Sequence, residues 1–94
     1  MDNVSIQDFE LRRNLTDAER ASAVMVNWLD WKIADTYEVG DLHRERAASV
    51  LTRLGVSPDT HVIVGDYYRD LSGWCEWENK MEYHHDERVL VVPA

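Results

Sequence analysis

"HVIVGDYY", residues 61–68, admits two incompatible readings, and the architecture turns on the choice between them. Behind "SPDT" at 57–60 it would open a third helix, with Ser57 as N-cap and Pro58 at the first helical position. Its composition points the other way. Val62, Ile63 and Val64 are β-branched, Tyr67 and Tyr68 are aromatic, and Gly65 interrupts the run, a mixture that suits a pleated surface. The reading adopted is a strand over residues 61–69. "RDLSGW" then becomes a hairpin loop with Gly73 at positive φ, and "WCEWENKMEYHH" at 74–85 the return strand. After the polar turn "HHDE", "RVLVV" at 88–92 supplies a third strand, and the N-terminal "VSIQDFEL" is a candidate for a fourth.

Two helices precede this β-rich half. Thr16 and Glu19 have the spacing of a capping box, in which each side chain satisfies an exposed amide of the other residue. Beyond it Met25, Val26, Trp28, Leu29 and Ile33 fall on one arc at helical spacing, which predicts a helix over 17–37. Gly40 and Asp41 mark a break and a new start. "LHRERAASVLTRLG" places His43, Ala47, Val50, Leu51 and Leu54 on one stripe, and Gly55 closes the helix as a left-handed C-cap.

The expected architecture is therefore α+β, with two antiparallel helices packed on one face of a three- to four-stranded antiparallel sheet whose other face is solvated and acidic. The chain has 94 residues, 45% of them hydrophobic, enough for one domain with one modest core over residues 1–94. Its 18 acidic and 10 basic residues give a formal charge of −8, which repels nucleic-acid backbones and anionic membranes. The single cysteine, Cys75, forms no intramolecular disulfide and fits a reducing, cytoplasmic setting. No apolar run reaches the roughly 18 residues of a membrane span, and "MDNVSIQDFE" lacks the basic and apolar regions of a signal peptide.

Along a strand at 74–85, alternation puts Cys75, Trp77, Asn79, Met81 and Tyr83 on a core face, and Trp74, Glu76, Glu78, Lys80, Glu82 and His84 on the other. The "ENK" within it is also suited to a bulge or tight turn. Asp70, Glu76, Glu78, Glu82, Asp86 and Glu87 against Lys80 concentrate −5 of the total charge of −8 in residues 70–87. Of the four tryptophans, Trp28 and Trp77 have core positions open to them, whereas Trp31 and Trp74 sit at the edge of an apolar arc and on a polar face. A partly exposed tryptophan is the side chain that most often becomes a hot spot when a partner desolvates it.

Enzymatic readings find little in these residues. His84 and His85 with Asp86 and Glu87 are metal-ligating residue types, but adjacent residues on a strand face opposite ways, and neither a paired-histidine motif nor a cysteine pair accompanies them. Cys75, on the expected core face, reads as a small buried hydrophobe rather than a nucleophile. His43 reads as a partly buried histidine on an apolar stripe, and His61 has no distinguishing context. No metal or other cofactor is expected.

The segment "ASVLTRLGVSPDTHVIVGDYYRD" resembles a helix-turn-helix, with "LGVS" as the turn, residues 58–70 as the reading helix and "ERVLVV" closing a wing. The resemblance implies a DNA-binding regulator. It departs from the pattern where His61 replaces a buried aliphatic residue and Leu51 a small one, and where Asp59, Asp66 and Asp70 face Arg69 alone. The leading expectation is instead a small acidic, non-enzymatic module that docks on a basic surface of a larger protein, without direct nucleic-acid or membrane contact. A phage-type inhibitor that mimics nucleic acid with its carboxylates is one concrete version. Trp74, Glu76, Glu78 and Glu82 are the expected contact residues, with Trp31, Asp30 and Asp35 on the helical side as a second set. The alternatives are the winged helix-turn-helix regulator and a small metal- or cysteine-dependent enzyme.

Overall fold

The run Val89–Val92 is wholly buried and sits at the centre of the molecule. A computed structural model of the chain describes residues 4–35 and 41–94. In chain order the elements are a 3₁₀ turn (Ile6–Asp8), β1 (Glu10–Leu11), α1 (Asp17–Ser22), β2 (Val24–Asn27), α2 (Trp28–Asp35), α3 (Asp41–Arg53), β3 (His61–Asp70), β4 (Gly73–Cys75), β5 (Lys80–Glu82) and β6 (His85–Pro93). Four strands form one antiparallel sheet in the order β1-β3-β6-β2, and β4 pairs with β5. The α+β fold with helices on an antiparallel sheet is thus present. Residues 61–70 form a strand, so the helix-turn-helix resemblance has no reading helix here.

Each face of the central pair is covered differently. On one side Val89 and Val91 join Val26, Leu51 and Val56, with Trp28, Trp31 and Ala34 packed around them from α2. On the other Leu90, Val92 and Val64 join Phe9 and Leu15, with Val4, Ile6, Leu11 and Met25 at the margin. The second face, expected to be solvated and acidic, is an apolar layer roofed by the N-terminal segment. That segment contributes only the two-residue β1 as strand, because a 3₁₀ turn occupies Ile6–Asp8 and lets Phe9 drop into the core.

The helix expected over 17–37 is two short helices with a strand between them. Its start is as expected: the Glu19 N–H donates to Thr16 Oγ1 at 3.1 Å and the Thr16 N–H to Glu19 Oε1 at 3.0 Å. Arg13 holds the same carboxylate at 2.6 and 2.9 Å, and these hydrogen bonds depress the Glu19 pKa to about 2. The helix stops at Ser22 because Val24–Asn27 pairs with β6, from Val24↔Val91 to Asn27↔Arg88. An unpaired buried backbone edge on β6 would cost more than one interrupted helix. Asn27 then restarts the helix, its Oδ1 accepting the Leu29 N–H at 2.9 Å. The apolar arc inferred across residues 25–33 mixed a strand of alternating Val24, Met25 and Val26 with a helix. The predicted end at residue 37 and the break at Gly40 lie outside the described residues.

α3 ends as its sequence implies. Gly55 has φ +75°, Val56 N–H donates to Leu51 O at 2.8 Å and Gly55 N–H to Thr52 O at 3.0 Å, the paired bonds of a Schellman cap. Leu51 and Val56 then meet in the core. Pro58 lies in the following turn, where Thr60 N–H reaches Ser57 O and His61 Nδ1 lies 2.9 Å from the same oxygen.

At Gly65 the sheet leaves little room for a side chain. The β3–β6 register shifts between Ile63 and Gly65, and a Cβ on Gly65 would lie 3.2 Å from Leu11 Cδ2 and 3.3 Å from Leu90 Cβ. Leu90 Cβ is held by the backbone of the central strand and cannot swing aside. Gly65→Ala is therefore expected to destabilise the fold by about 1–3 kcal/mol, the usual cost of overpacking, read as a lower urea midpoint at unchanged m-value.

Candidate functional site

Beyond the core the β3–β6 hairpin does not end. The pairs from Gly65↔Leu90 to Asp70↔His85 and those from Gly73↔Glu82 to Cys75↔Lys80 keep one register, and Leu71 N–H donates to His84 O at 2.8 Å between them. β3, β4, β5 and β6 are one ribbon, turned at residues 76–79 with Asn79 at φ +52°. The hairpin loop thus lies at "EWEN" rather than "RDLSGW", and Gly73 is an ordinary strand residue. β1 accompanies β3 only to Asp66, and β2 accompanies β6 only to Arg88. From Tyr68 onward the ribbon projects for about 3.3 Å per residue with no described strand on either edge. This projection gives the molecule its 47 × 35 × 22 Å extents and a radius of gyration of 15.5 Å, against about 12 Å for a compact chain of this length.

The early turn changes every face assignment along the return strand. Cross-strand partners share a face, and the Trp74↔Met81 and Gly73↔Glu82 pairs put Trp74 and Glu82 on opposite sides. Glu76 and Glu78 belong to the turn. The expected row of Trp74, Glu76, Glu78 and Glu82 on one strand face is therefore not formed, although all four residues cluster at the ribbon's far end. Trp77, Met81 and Tyr83 were expected in a core. They are instead exposed, Trp77 at 96% and Tyr83 at 81%, because the sheet body ends before them.

One face of the ribbon continues the side on which Val89 lies and carries Tyr68, His85, Tyr83, Trp74 and Met81. Tyr68 and His85 stack with ring centroids 5.5 Å apart and 20° between planes. Tyr68 is 65% and Trp74 58% exposed, so the stack covers only part of this aromatic surface. Asp70 and Glu87 lie on the same face. Asp70 accepts the Ser72 N–H at 2.8 Å, and hydrogen bonding to Ser72 holds its carboxyl below the usual range. His85 Nε2 lies 3.4 Å from Glu87.

The opposite face holds Arg69, Asp86, Arg88, Leu71, His84, Glu82, Cys75 and Lys80, with charges largely paired. Arg88 clasps Asp86 at 2.9 and 3.0 Å, and His84 Nε2 lies 3.4 Å from Glu82. Near the turn, the ligand atoms of Cys75, Glu78 and Glu82 come within 4.8 Å of one another. The turn creates this cluster, which strand alternation alone would have dispersed. Lys80 Nζ lies 3.0 Å from Glu78, so one of its carboxylates already has a cation.

The second set of expected residues is split. Trp31 is partly buried against the helical core cluster, and Asp30 lines a cleft of about 310 Å³ between α2 and α3 with Leu29, Ile33, Arg46, Ala47 and Val50. The side chains of Asp35 and His43 lie outside the described set. No described helix is long and apolar enough to cross a membrane. Sequence reasoning missed Tyr68, Tyr83 and His85 as a surface; the signal was present in "ENK", where taking Asn79 as the turn reassigns the faces. Comparison with known protein families, with curated proteins and with solved structures returns no match.

Tyr67 packs on Phe9 at the base of the ribbon, whereas Trp74 and Trp77 belong to neither described core cluster. Replacing Trp74 and Trp77 together by serine is expected to change unfolding free energy by no more than about 0.5 kcal/mol, the range of ordinary surface substitutions, as measured by urea denaturation followed by circular dichroism.

Proposed function

We propose that this chain is a small non-enzymatic binding module that presents its β-ribbon to a basic surface on a larger protein. The observation that carries the reading is the concentration of Tyr68, Trp74, Trp77, Met81 and Tyr83, all exposed, on a projection with no core to cover. Large exposed aromatic patches on a small protein mark interaction sites, and tryptophan and tyrosine dominate binding hot spots. The surrounding charge selects the partner: Asp70, Glu76, Glu78, Glu82, Asp86 and Glu87 against Lys80 make the ribbon strongly negative. Such charge speeds encounter with a cationic surface and suppresses other partners.

A β-ribbon is also able to enter the major groove of DNA. This one would place carboxylates against phosphates, which disfavours a DNA-binding regulator. A protein partner whose own nucleic-acid site is basic fits better, and an inhibitor of the phage type, occupying such a site with carboxylates, is the concrete form of this reading. A reducing, cytoplasmic setting suits the single thiol of Cys75.

The test is a shortened chain in which residues 72–83 are replaced by Asn-Gly, joining Leu71 to His84 across an existing hydrogen-bonded pair. Both chains are immobilised and exposed to lysate of the source cells at about 50 mM and about 500 mM salt, because screening grows between these strengths. The expected result is a protein retained by the full chain at low salt, released at high salt and absent from the shortened chain. Identical retention on both chains would refute the proposal.

A further inference from the structure

The two ribbon faces differ in charge as well as in apolar character, and the difference narrows the chemistry of the partner. On the aromatic face, Tyr68, Tyr83, Trp74 and Met81 are accompanied by the carboxylates of Asp70 and Glu87, while Arg69, Lys80 and Arg88 all fall on the opposite face. Among the described ribbon residues, no lysine or arginine belongs to the aromatic side. Aromatic platforms that stack nucleobases occur with cations that hold the backbone. This platform has carboxylates in their place.

The basic side chain among the described ribbon residues of this face is His85, stacked on Tyr68 with Nε2 3.4 Å from Glu87; beyond it the exposed rings of Trp74 and Tyr83 beside carboxylates complement a planar cation. A guanidinium stacks on a tyrosine or tryptophan face and donates to a carboxylate at its edge, whereas an ammonium lacks the flat surface. Spacing agrees with this chemistry. Successive side chains on one ribbon face are separated by two residues, about 6.6–6.8 Å, so Tyr68, Asp70 and Trp74 lie along roughly 20 Å. An extended peptide repeats its side chains at the same interval. We infer that the aromatic face of the ribbon, formed by Tyr68, Asp70, Trp74, Met81, Tyr83 and Glu87, is a docking strip for an arginine-rich segment of a partner protein in extended conformation.

This inference rests on the binding-module reading and specifies its contact chemistry. The probes are three twelve-residue peptides in which serine alternates with arginine, lysine or citrulline, titrated calorimetrically into the full chain. The arginine peptide is expected to bind about tenfold more tightly than the lysine peptide, within the range of stacking and bidentate contributions, and the citrulline peptide not to bind measurably. Trp74→Ser and Tyr83→Ser should each weaken arginine-peptide binding by about five- to tenfold. Leu71→Ser, an apolar loss of similar kind on the opposite face, should change it less than about twofold. Equal affinity for the arginine and lysine peptides, or no effect of Trp74→Ser and Tyr83→Ser, would overturn the inference. So would tighter binding of oligothymidine, or concentration-dependent dimerisation abolished by Trp74→Ser. If ribbon-dependent retention of a basic protein persists without arginine preference, the module reading stands and this strip falls; if retention also vanishes, both fall.

Discussion

β6 imposes the constraint from which the other elements follow. Its segment Val89–Val92 is buried on both faces, so its backbone must be paired along both edges and each face must be roofed. β3 fills one edge and β2 the other. α2 and α3 supply one roof, and the N-terminal segment, anchored by Phe9 and Leu15, supplies the other. Local preferences yield wherever they conflict with this demand. Residues 24–27 follow a capped helix and precede another, yet they are a strand because the open edge of β6 needs one.

The same hairpin is core at one end and surface at the other. At Ile63, Val64 and Tyr67 its side chains meet roofing layers; beyond Tyr68 no described strand flanks it. Apolar and aromatic residues nevertheless continue to the turn, through Leu71, Trp74, Trp77, Met81 and Tyr83, all of them exposed. The core clusters do not account for their placement, and the proposal of a binding module rests on them. Arg69, Lys80 and Arg88 lie on one face and Tyr68, Trp74, Met81 and Tyr83 on the other, and the proposed docking strip takes its direction from that segregation.

How much of this was legible depended on whether a feature was local. The capping box at Thr16, the glycine cap at Gly55 and the β-branched run at residues 62–64 act within a few residues, and each was readable. The end of α1 at Ser22 was not, because it depends on Val91 and Val89, more than sixty positions away. The register of the ribbon turned on whether Gly73 or Asn79 bends the chain. Glycine has the weaker conformational restriction and draws the eye, but asparagine also tolerates left-handed φ, and one misplaced turn moves Glu82 away from Trp74 and exchanges the expected core face for an exposed one. The solvated second face was misjudged because "VSIQDFEL" hides its apolar role behind a 3₁₀ turn that offers neither helical nor strand periodicity.

Native-state hydrogen exchange measured as a function of urea tests the division between a cooperative centre on β6 and a ribbon outside it. The amides of residues 89–92 should exchange only through global unfolding, with protection equal to the stability of the whole chain and a full urea dependence. The Leu71 amide, hydrogen-bonded within the ribbon, should exchange through a smaller opening of lower free energy and weaker urea dependence. Equal protection at Leu71 and in residues 89–92, or exchange of the latter through urea-independent local opening, would contradict the account.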